Sequence, residues 1–449
     1  MRTKHRWIFE SLEKGVGKTM RIKWTVGFIF YFLILGGSGL AQESQQPLTL
    51  EKSIQIALER NLKLHSATEG IVGSEFRQAA AKTDFLPKWT GEYSYTRYNS
   101  PTSIGNAGKD RDVSNFNTSI KQPLFSGGSI TSNYRLEKLG VDLSKTNVEV
   151  VKRDIVLQVR EGYFNILRAE KFLAVAKQAV KQFEAQLEVT KAFFEVGIVP
   201  KNDLLQAEVK LANARQGLVK AENDLAVAKA SFNTLLRREI DTSLRVVDIL
   251  EYKPFSLRFE ESLEEALQKR PEITTAELNI DQAKENVKIA RSGFFPTINL
   301  TGNYGRTSEE VGLMGDLRSE KWTVQALATF TLWDWKKTAS KVGENKVKVT
   351  QTEDSKVQLV EGVTLEVKQD YLNMLQAEKS IGVAEKAIEQ AEENLRMNEE
   401  RYKYQVATAT DVLDAVTLLA QIRVNYYSSL SDFNIAKARL ERAMGRMYP

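Results

Sequence analysis

Val159-Arg160-Glu161-Gly162-Tyr163-Phe164-Asn165-Ile166-Leu167-Arg168-Ala169-Glu170-Lys171 returns, in pattern, as Val367-Lys368-Gln369-Asp370-Tyr371-Leu372-Asn373-Met374-Leu375-Gln376-Ala377-Glu378-Lys379, 208 residues later. The same offset carries Asp203 onto Asp411, Leu204 onto Val412, Ala207 onto Ala415 and Leu211 onto Leu419. Upstream, Phe85-Leu86-Pro87 matches Phe294-Phe295-Pro296 and Ala57-Leu58 matches Ala266-Leu267, at an offset of 209. One residue of length difference lies between these anchors. Copies of this size are far longer than the roughly 20–45-residue unit of a solenoid. The pattern is a tandem duplication, with residues 1–41 a leader, 42–250 the first repeat and 251–449 the second.

Around the quoted stretch, residues 131–238 read as two very long amphipathic helices meeting at Val196-Gly197-Ile198-Val199-Pro200. Ile155, Val159, Tyr163, Ile166, Ala169, Leu173, Ala176, Val180, Phe183 and Leu187 step by three and four before the break. Leu204, Ala207, Leu211, Ala214, Leu218, Ala221, Leu225, Ala228, Phe232 and Leu235 do so after it. That is the seam of helices packed on other helices, with small Ala steps that let backbones approach. A rod of about 65 residues would be about 100 Å long. The twin hairpin is expected over 340–442.

Each repeat shows the same order of parts. A first helix (50–82; 262–291) ends before Phe-x-Pro, and then come a strand, a polar loop, a second strand and the hairpin. The strands alternate with period two. Trp89, Tyr93 and Tyr95 oppose Thr90, Glu92, Ser94 and Thr96; Phe116, Thr118, Ile120 and Leu124 oppose Asn115, Asn117, Ser119 and Lys121. Ile298, Leu300 and Tyr304 oppose Thr297, Asn299, Thr301 and Asn303, and the fourth strand sets Trp322, Val324, Ala326, Ala328, Phe330 and Leu332 against Thr323, Gln325, Thr329 and Thr331. Strands of about ten residues with one apolar and one small-polar face suit a membrane barrel with a wet lumen. A half-buried soluble sheet is the competing reading. Four strands cannot close a membrane barrel, for which about eight is the minimum, and open edges are not viable in lipid. Strands in a membrane would therefore be shared between chains, and three chains at four strands each would supply twelve. The loops 99–112 and 307–319 read as exposed, 237–260 as a linker lying beside the rods.

Residues 20–41 have a basic flank (Arg21, Lys23), an apolar centre from Trp24 to Leu35 and a small-residue site at Gly39-Leu40-Ala41. This is the layout of a secretory signal peptide, with a marginal membrane anchor as the alternative; Met20 is an alternative start. The first 41 residues hold seven Lys/Arg and two Asp/Glu, which equals the +5 of the whole chain. The remainder is neutral, so the basic balance gives no argument for nucleic acid. Gly15-Val16-Gly17-Lys18-Thr19 has Leu12 where a phosphate loop needs its first Gly. With no Cys, and His65 the one histidine past the leader, thiolate and multi-histidine metal sites are excluded. No nucleophile elbow occurs, and the many carboxylates sit among Lys and Arg on solvated helix faces. Nothing supports an enzyme or a cofactor.

With these features together, the chain resembles the TolC-like outer-membrane efflux proteins over nearly all of 45–445. The resemblance rests on the Phe-x-Pro segments, Gln122-Pro123-Leu124-Phe125-Ser126-Gly127-Gly128, the Tyr163 and Tyr371 segments, Phe194-Glu195-Val196-Gly197-Ile198, and Asp203-Leu204-Leu205-Gln206-Ala207 with Asp411-Val412-Leu413-Asp414-Ala415. It implies a mixed, mainly α homotrimer. A twelve-stranded β-barrel in the outer membrane would be continued by a helical barrel in the periplasm. Such a passive duct completes a tripartite efflux pump or a type I secretion system. An inner-membrane transporter supplies the energy, and a periplasmic adaptor docks on the helix-turn-helix tips. Val196, Gly197 and Ile198 match the family's docking motif, with Asp203 beside them. Gln405, Val406 and Asp411 are their counterparts in the second repeat, where Tyr404-Gln405-Val406 lacks the Gly. The family's acidic lumen constriction places candidates at Glu392, Glu399 and Glu400. No Cys follows the leader, which sets aside the lipid-anchored subgroup. Two other readings remain: a periplasmic adaptor, expected to carry one hairpin and compact β domains, and a structural coiled-coil spacer, which would have no use for the strands.

Overall fold

A computed structural model of the protein describes residues 47–102, 110–308 and 317–447. The leader, with its signal-peptide reading, and the centres of both interstrand loops lie outside them. The elements run α1 (Leu50–Arg60), α2 (Leu62–Thr83), β1 (Lys88–Thr102), β2 (Asp110–Ser126), α3 (Ser129–Glu195), α4 (Lys201–Leu235), α5 (Phe259–Lys269), α6 (Pro271–Arg291), β3 (Thr297–Ser308), β4 (Leu317–Thr329), α7 (Lys337–Lys403) and α8 (Ala409–Ala443). The order repeats once. Both long helices have 67 residues and both return helices 35, so each rod is about 100 Å long.

The expected first helix of each repeat is instead two helices. Asn61 leaves the helical region (φ −71°, ψ 124°) and its side chain accepts from the N–H groups of Lys63 and Leu64, capping α2. In the second repeat Pro271 opens α6, and Arg270 before it is extended, as a residue preceding proline must be. The short α1 and α5 pack on α3 and α7 respectively. α3 and α7 are the longest elements, and each packs on helices of both the strand side and the tip side. On the strand side α2, α3, α6 and α7 lie side by side in that order; on the tip side the order is α4, α3, α8, α7.

The helices are held by two cores. One gathers where the short helices and linker meet the rods, around Tyr163, Phe164, Phe232, Met374, Phe433 and Leu440. The other lies toward the tips, around Phe183, Ala207, Leu211, Leu395, Val412 and Leu419. Every residue of the two Leu/Ala seams is buried or half-buried within the single chain. Gly162 is required by one close approach: a Cβ there would stand 2.8 Å from the Phe232 ring. The linker does lie against the rods. Leu244 and Leu250 join the first core, and Val246 bridges to Leu48. The fully buried Tyr163 holds that junction, its hydroxyl 2.8 Å from the Val247 carbonyl and 3.0 Å from that of Leu48. Burial pushes this phenol up to about 12.

Charge completes the same belt. Arg442 on α8 reaches Asp154 on α3 (2.8 Å), Glu366 on α7 (3.1 Å) and Glu272 on α6 (3.2 Å). The buried Arg270 binds Glu272 and Glu366, and Arg439 binds Glu161. Asp370, the counterpart of Gly162, is raised to about 6 by burial and by Glu366, against the pull of Arg439, Arg442 and Arg270.

The four strands form one antiparallel sheet in sequence order, so β2 and β3 join the repeats and β1 and β4 are its edges. The expected faces are kept: Trp89 lies opposite Ile120, Tyr93 opposite Phe116, and Tyr304 opposite Trp322. The strands span 15, 17, 12 and 13 residues, longer than the expected ten, because pairing continues into both loops. β4 ends at Thr329, short of the expected Leu332. β2 is irregular between Pro123 and Phe125, past Lys121, the last residue it pairs with β1. Exposed aromatic and aliphatic side chains gather at the strand–helix junctions: Phe85, Leu86, Phe125, Phe294, Phe295, Leu332, Trp333 and Trp335. Entry to the rods uses two left-handed residues in each repeat. They are Gly127 and Gly128 (φ +61° and +86°) in the first, Trp335 and Lys336 (+54° and +65°) in the second. Among the described residues no helix is long and apolar enough to cross a membrane.

Candidate functional site

The far ends of the two hairpins carry the residues singled out for docking. In the first, α3 stops because Gly197 adopts φ +77°, a left-handed conformation that costs glycine nothing. The Gly197 N–H donates to the Phe194 carbonyl (2.9 Å) and the Ile198 N–H to that of Phe193 (2.8 Å), closing the last turn. Pro200, extended, then starts α4, and the Asp203 N–H donates back to its carbonyl at 3.1 Å. Val196 and Ile198 are left exposed, and a Cβ on Gly197 would meet nothing within 4 Å.

The second tip repeats this backbone without the glycine. Gln405 takes φ +60°, its N–H donates to Tyr402 O (3.0 Å), and the Val406 N–H donates to Arg401 O (2.8 Å). The turn is therefore the same, with a left-handed side-chain residue where repeat one has Gly197. Thr408 stands where Pro200 stands and caps α8. Its N–H and hydroxyl both donate to the Asp411 carboxylate at 2.8 Å, and the Asp411 N–H returns to the hydroxyl. These bonds hold the Asp411 carboxyl below its usual range. Tyr404 and Val406 project outward. The two tips share a shape and differ in chemistry.

Near the tips the hairpins are tied together by contacts with no signature in the spacing. The Thr190 hydroxyl donates to the Gln186 carbonyl (2.9 Å), which leaves Tyr402 as donor to Thr190 across 3.2 Å in a buried setting. Phe193 packs on the Tyr402 ring at 5.4 Å between centroids. Lys210 pairs with Asp414 at 3.0 Å, and the Thr410 hydroxyl donates to the Gln206 side chain at 2.8 Å. The partners lie on different helices about two hundred residues apart, where no local pattern can show them.

The three candidate constriction carboxylates all lie on α7, within about its last three turns before the second tip. Glu392 is paired with Arg423 of α8 at 2.7 Å, and Glu400 with Arg396 at 2.9 Å, an arginine that also grips Glu393 at 2.6 Å. Glu399 is exposed and makes no salt bridge with any described residue. His65 is an exposed surface residue 3.9 Å from Glu69.

A family model described as "Outer membrane efflux protein" matches residues 53–236 and 262–446. The outer membrane efflux protein BepC of Brucella suis is 21% identical over 416 residues, covering 92% of this chain and 89% of that one. The outer membrane protein TolC of Vibrio cholerae is 26% identical over 357 residues, 76% and 78% of the two chains. In fold, the crystal structure of the Campylobacter jejuni CmeC outer membrane channel is similar at a TM-score of 0.78 and 18% identity, covering 94% of each chain. Two matched segments, each taking in one hairpin and the helices before its strands, make the assignment: this chain belongs to the outer membrane efflux protein family.

Proposed function

We propose that this protein is the passive outer-membrane export duct of a tripartite efflux pump or type I secretion system, built as a homotrimer. The observation that carries the reading is the open sheet. Four strands with an apolar outer face end in two unpaired edges, β1 and β4, and the sheet is rooted on two matched rods. In lipid such edges must be closed by other copies of the chain. A sheet shared among three copies supplies the barrel, and the rods continue it through the periplasm. An adaptor reading would leave the sheet edges and the second hairpin without a purpose, and a coiled-coil spacer would leave the whole sheet without one.

Val196, Gly197, Ile198 and Asp203, with Gln405, Val406 and Asp411, are proposed to receive a periplasmic adaptor. The exposed aliphatic side chains and the uncovered Gly197 backbone support this. Asp411 serves by fixing the second turn, being committed to its own cap. Glu399 and Glu400, with Glu392, are proposed to line the narrow end of the lumen, Glu399 carrying the uncompensated charge. An inner-membrane transporter energises the export. The test is purification from the outer-membrane fraction, followed by light scattering in detergent and conductance in planar bilayers. Trimers that insert and pass steady current support the duct; a soluble periplasmic monomer without a β signature in circular dichroism overturns it.

A further inference from the structure

The duplication relates not only the hairpins but the sheet, residue by residue. Adding 209 to β1 and 208 to β2 turns the pairs Trp89–Ile120, Tyr93–Phe116 and Arg97–Asp112 into Ile298–Ala328, Gly302–Val324 and Arg306–Glu320, all pairs that β3 and β4 make. One operation therefore carries the first hairpin of strands onto the second. Applied to the β2–β3 seam between repeats, it carries β2 onto β4 and, beyond the end of the chain's own sheet, β3 onto the β1 of a following copy.

We infer that β4 of one chain pairs antiparallel with β1 of the next in a single register. Val324 lies opposite Arg97, Ala326 opposite Tyr95, Ala328 opposite Tyr93 and Phe330 opposite Gly91. An irregularity at Leu332, the counterpart of Leu124, is followed by Trp333 opposite Trp89. This rests on the trimeric duct proposed above and specifies its joint.

Three observations support the register independently of the operation that generated it. First, the faces agree. The apolar face of β4 (Val324, Ala326, Ala328, Phe330) meets the aromatic face of β1 (Trp89, Tyr93, Tyr95), and a slip by one residue would set it against Thr90, Glu92, Ser94 and Thr96. Second, sizes complement one another. Two alanines lie opposite two tyrosines, and the phenylalanine lies opposite a glycine, which an aromatic neighbour across the ladder shields. A slip by two residues loses this: it sets Phe330 against Tyr93, or Ala328 against Gly91. Third, it accounts for where β4 stops. β2 continues to Ser126 because β3 accompanies it there, past the last β1 pair at Lys121. The counterpart residues 330–334 of β4 lie past its last β3 pair, Thr297–Thr329, and have no strand beside them in one chain. The following β1 supplies it.

The chain has no cysteine, so introduced thiols report cleanly. The full-length protein would carry Ala326→Cys with Tyr95→Cys, or Leu327→Cys with Ser94→Cys. Adjacent rungs alternate in spacing, so one of the two falls within disulfide reach. Slipped controls combine Ala326→Cys with Tyr93→Cys or with Arg97→Cys, and single-cysteine variants monitor expression and insertion. A disulfide within one chain is impossible, since β1 and β4 stand three strand spacings apart, about 14 Å. Mild oxidation in membranes should give a covalent trimer about ten-fold more abundantly for an in-register pair than for either slipped pair. Strongest cross-linking from a slipped pair, with the cysteine-free chain still trimeric by light scattering, overturns the register and leaves the duct standing. A monomeric cysteine-free chain overturns both.

Discussion

Replacing Tyr402 by Phe removes one hydroxyl from the junction between the two hairpins. The ring, 3% exposed, keeps its contact with Phe193. Thr190 still donates to Gln186, so no buried donor is orphaned. The loss is then that of one neutral hydrogen bond, about 1 kcal/mol per chain. If cargo passes the tips by their separating, that changes the balance between joined and parted hairpins about 5-fold in each chain. With three chains parting together, the change is about 3 kcal/mol, on the order of 100-fold. Single-channel recording in planar bilayers reads this as a larger fraction of time in high-conductance states. Thr190→Val should cost more, because it leaves the buried Tyr402 hydroxyl without its acceptor; adding Tyr402→Phe to it should relieve that penalty rather than add to it, giving a coupling energy of about 1 kcal/mol or more. Trimers of the Tyr402→Phe protein that insert normally and show wild-type conductance, with additive effects in the double variant, would refute the reasoning.

Gly197→Pro forces a φ near −65° where the turn needs +77° and removes the bond to Phe194 O; export should fall sharply while trimer formation and insertion persist, and an unchanged drug-susceptibility or secretion phenotype would remove Gly197 from the docking surface. Glu399→Gln with Glu400→Gln should weaken block of single-channel current by multivalent cations, with Glu399 alone giving most of the effect because Glu400 is already paired with Arg396; equal block in wild type and variant would remove both from the constriction. Asp370 has a carboxyl raised from 3.8 to about 6 in the folded chain. Its contribution is present below pH 4 and is lost as pH rises through about 6, because the unfolded chain ionises first. Asp370→Asn should therefore raise the thermal midpoint in detergent at pH 7 and flatten its fall between pH 4 and pH 6; superimposable pH profiles would contradict the assignment.

The rods, their breaks and the sheet faces were legible because each is written in a spacing. Seam residues recur at three and four, strand faces at two, and Gly197 with Pro200 punctuates the first hairpin. The second tip was harder to read, since Gln405 does the work of a glycine with no compositional sign. The division of each first helix went unread for opposite reasons. At Asn61 a polar side chain competes for the backbone, a choice that periodicity cannot register, whereas Pro271 was in plain view within an otherwise continuous helical pattern. The carboxylates of the proposed constriction were visible as residue types, but their neutralising partners were not. Arg423 reaches Glu392 from the next helix, 31 residues away, and only packing brings them together. The belt of ion pairs around Arg270 and Arg442 is hidden in the same way, drawn from four helices of both repeats and the residue that joins α5 to α6.

The equal helix lengths of the two repeats have a consequence for whatever meets the tips. Rods of 67 residues with returns of 35, twice over, end level with one another. Three chains then present six turns of one backbone shape at one height, although the assembly has only threefold symmetry. Glycine-bearing and glutamine-bearing ends alternate around that ring. A docking partner arranged as a hexamer would find six matching shapes, while one arranged as a trimer could tell the two kinds of end apart by their side chains alone. Gene duplication, by copying the length of a helix, has given a three-part molecule a six-part face.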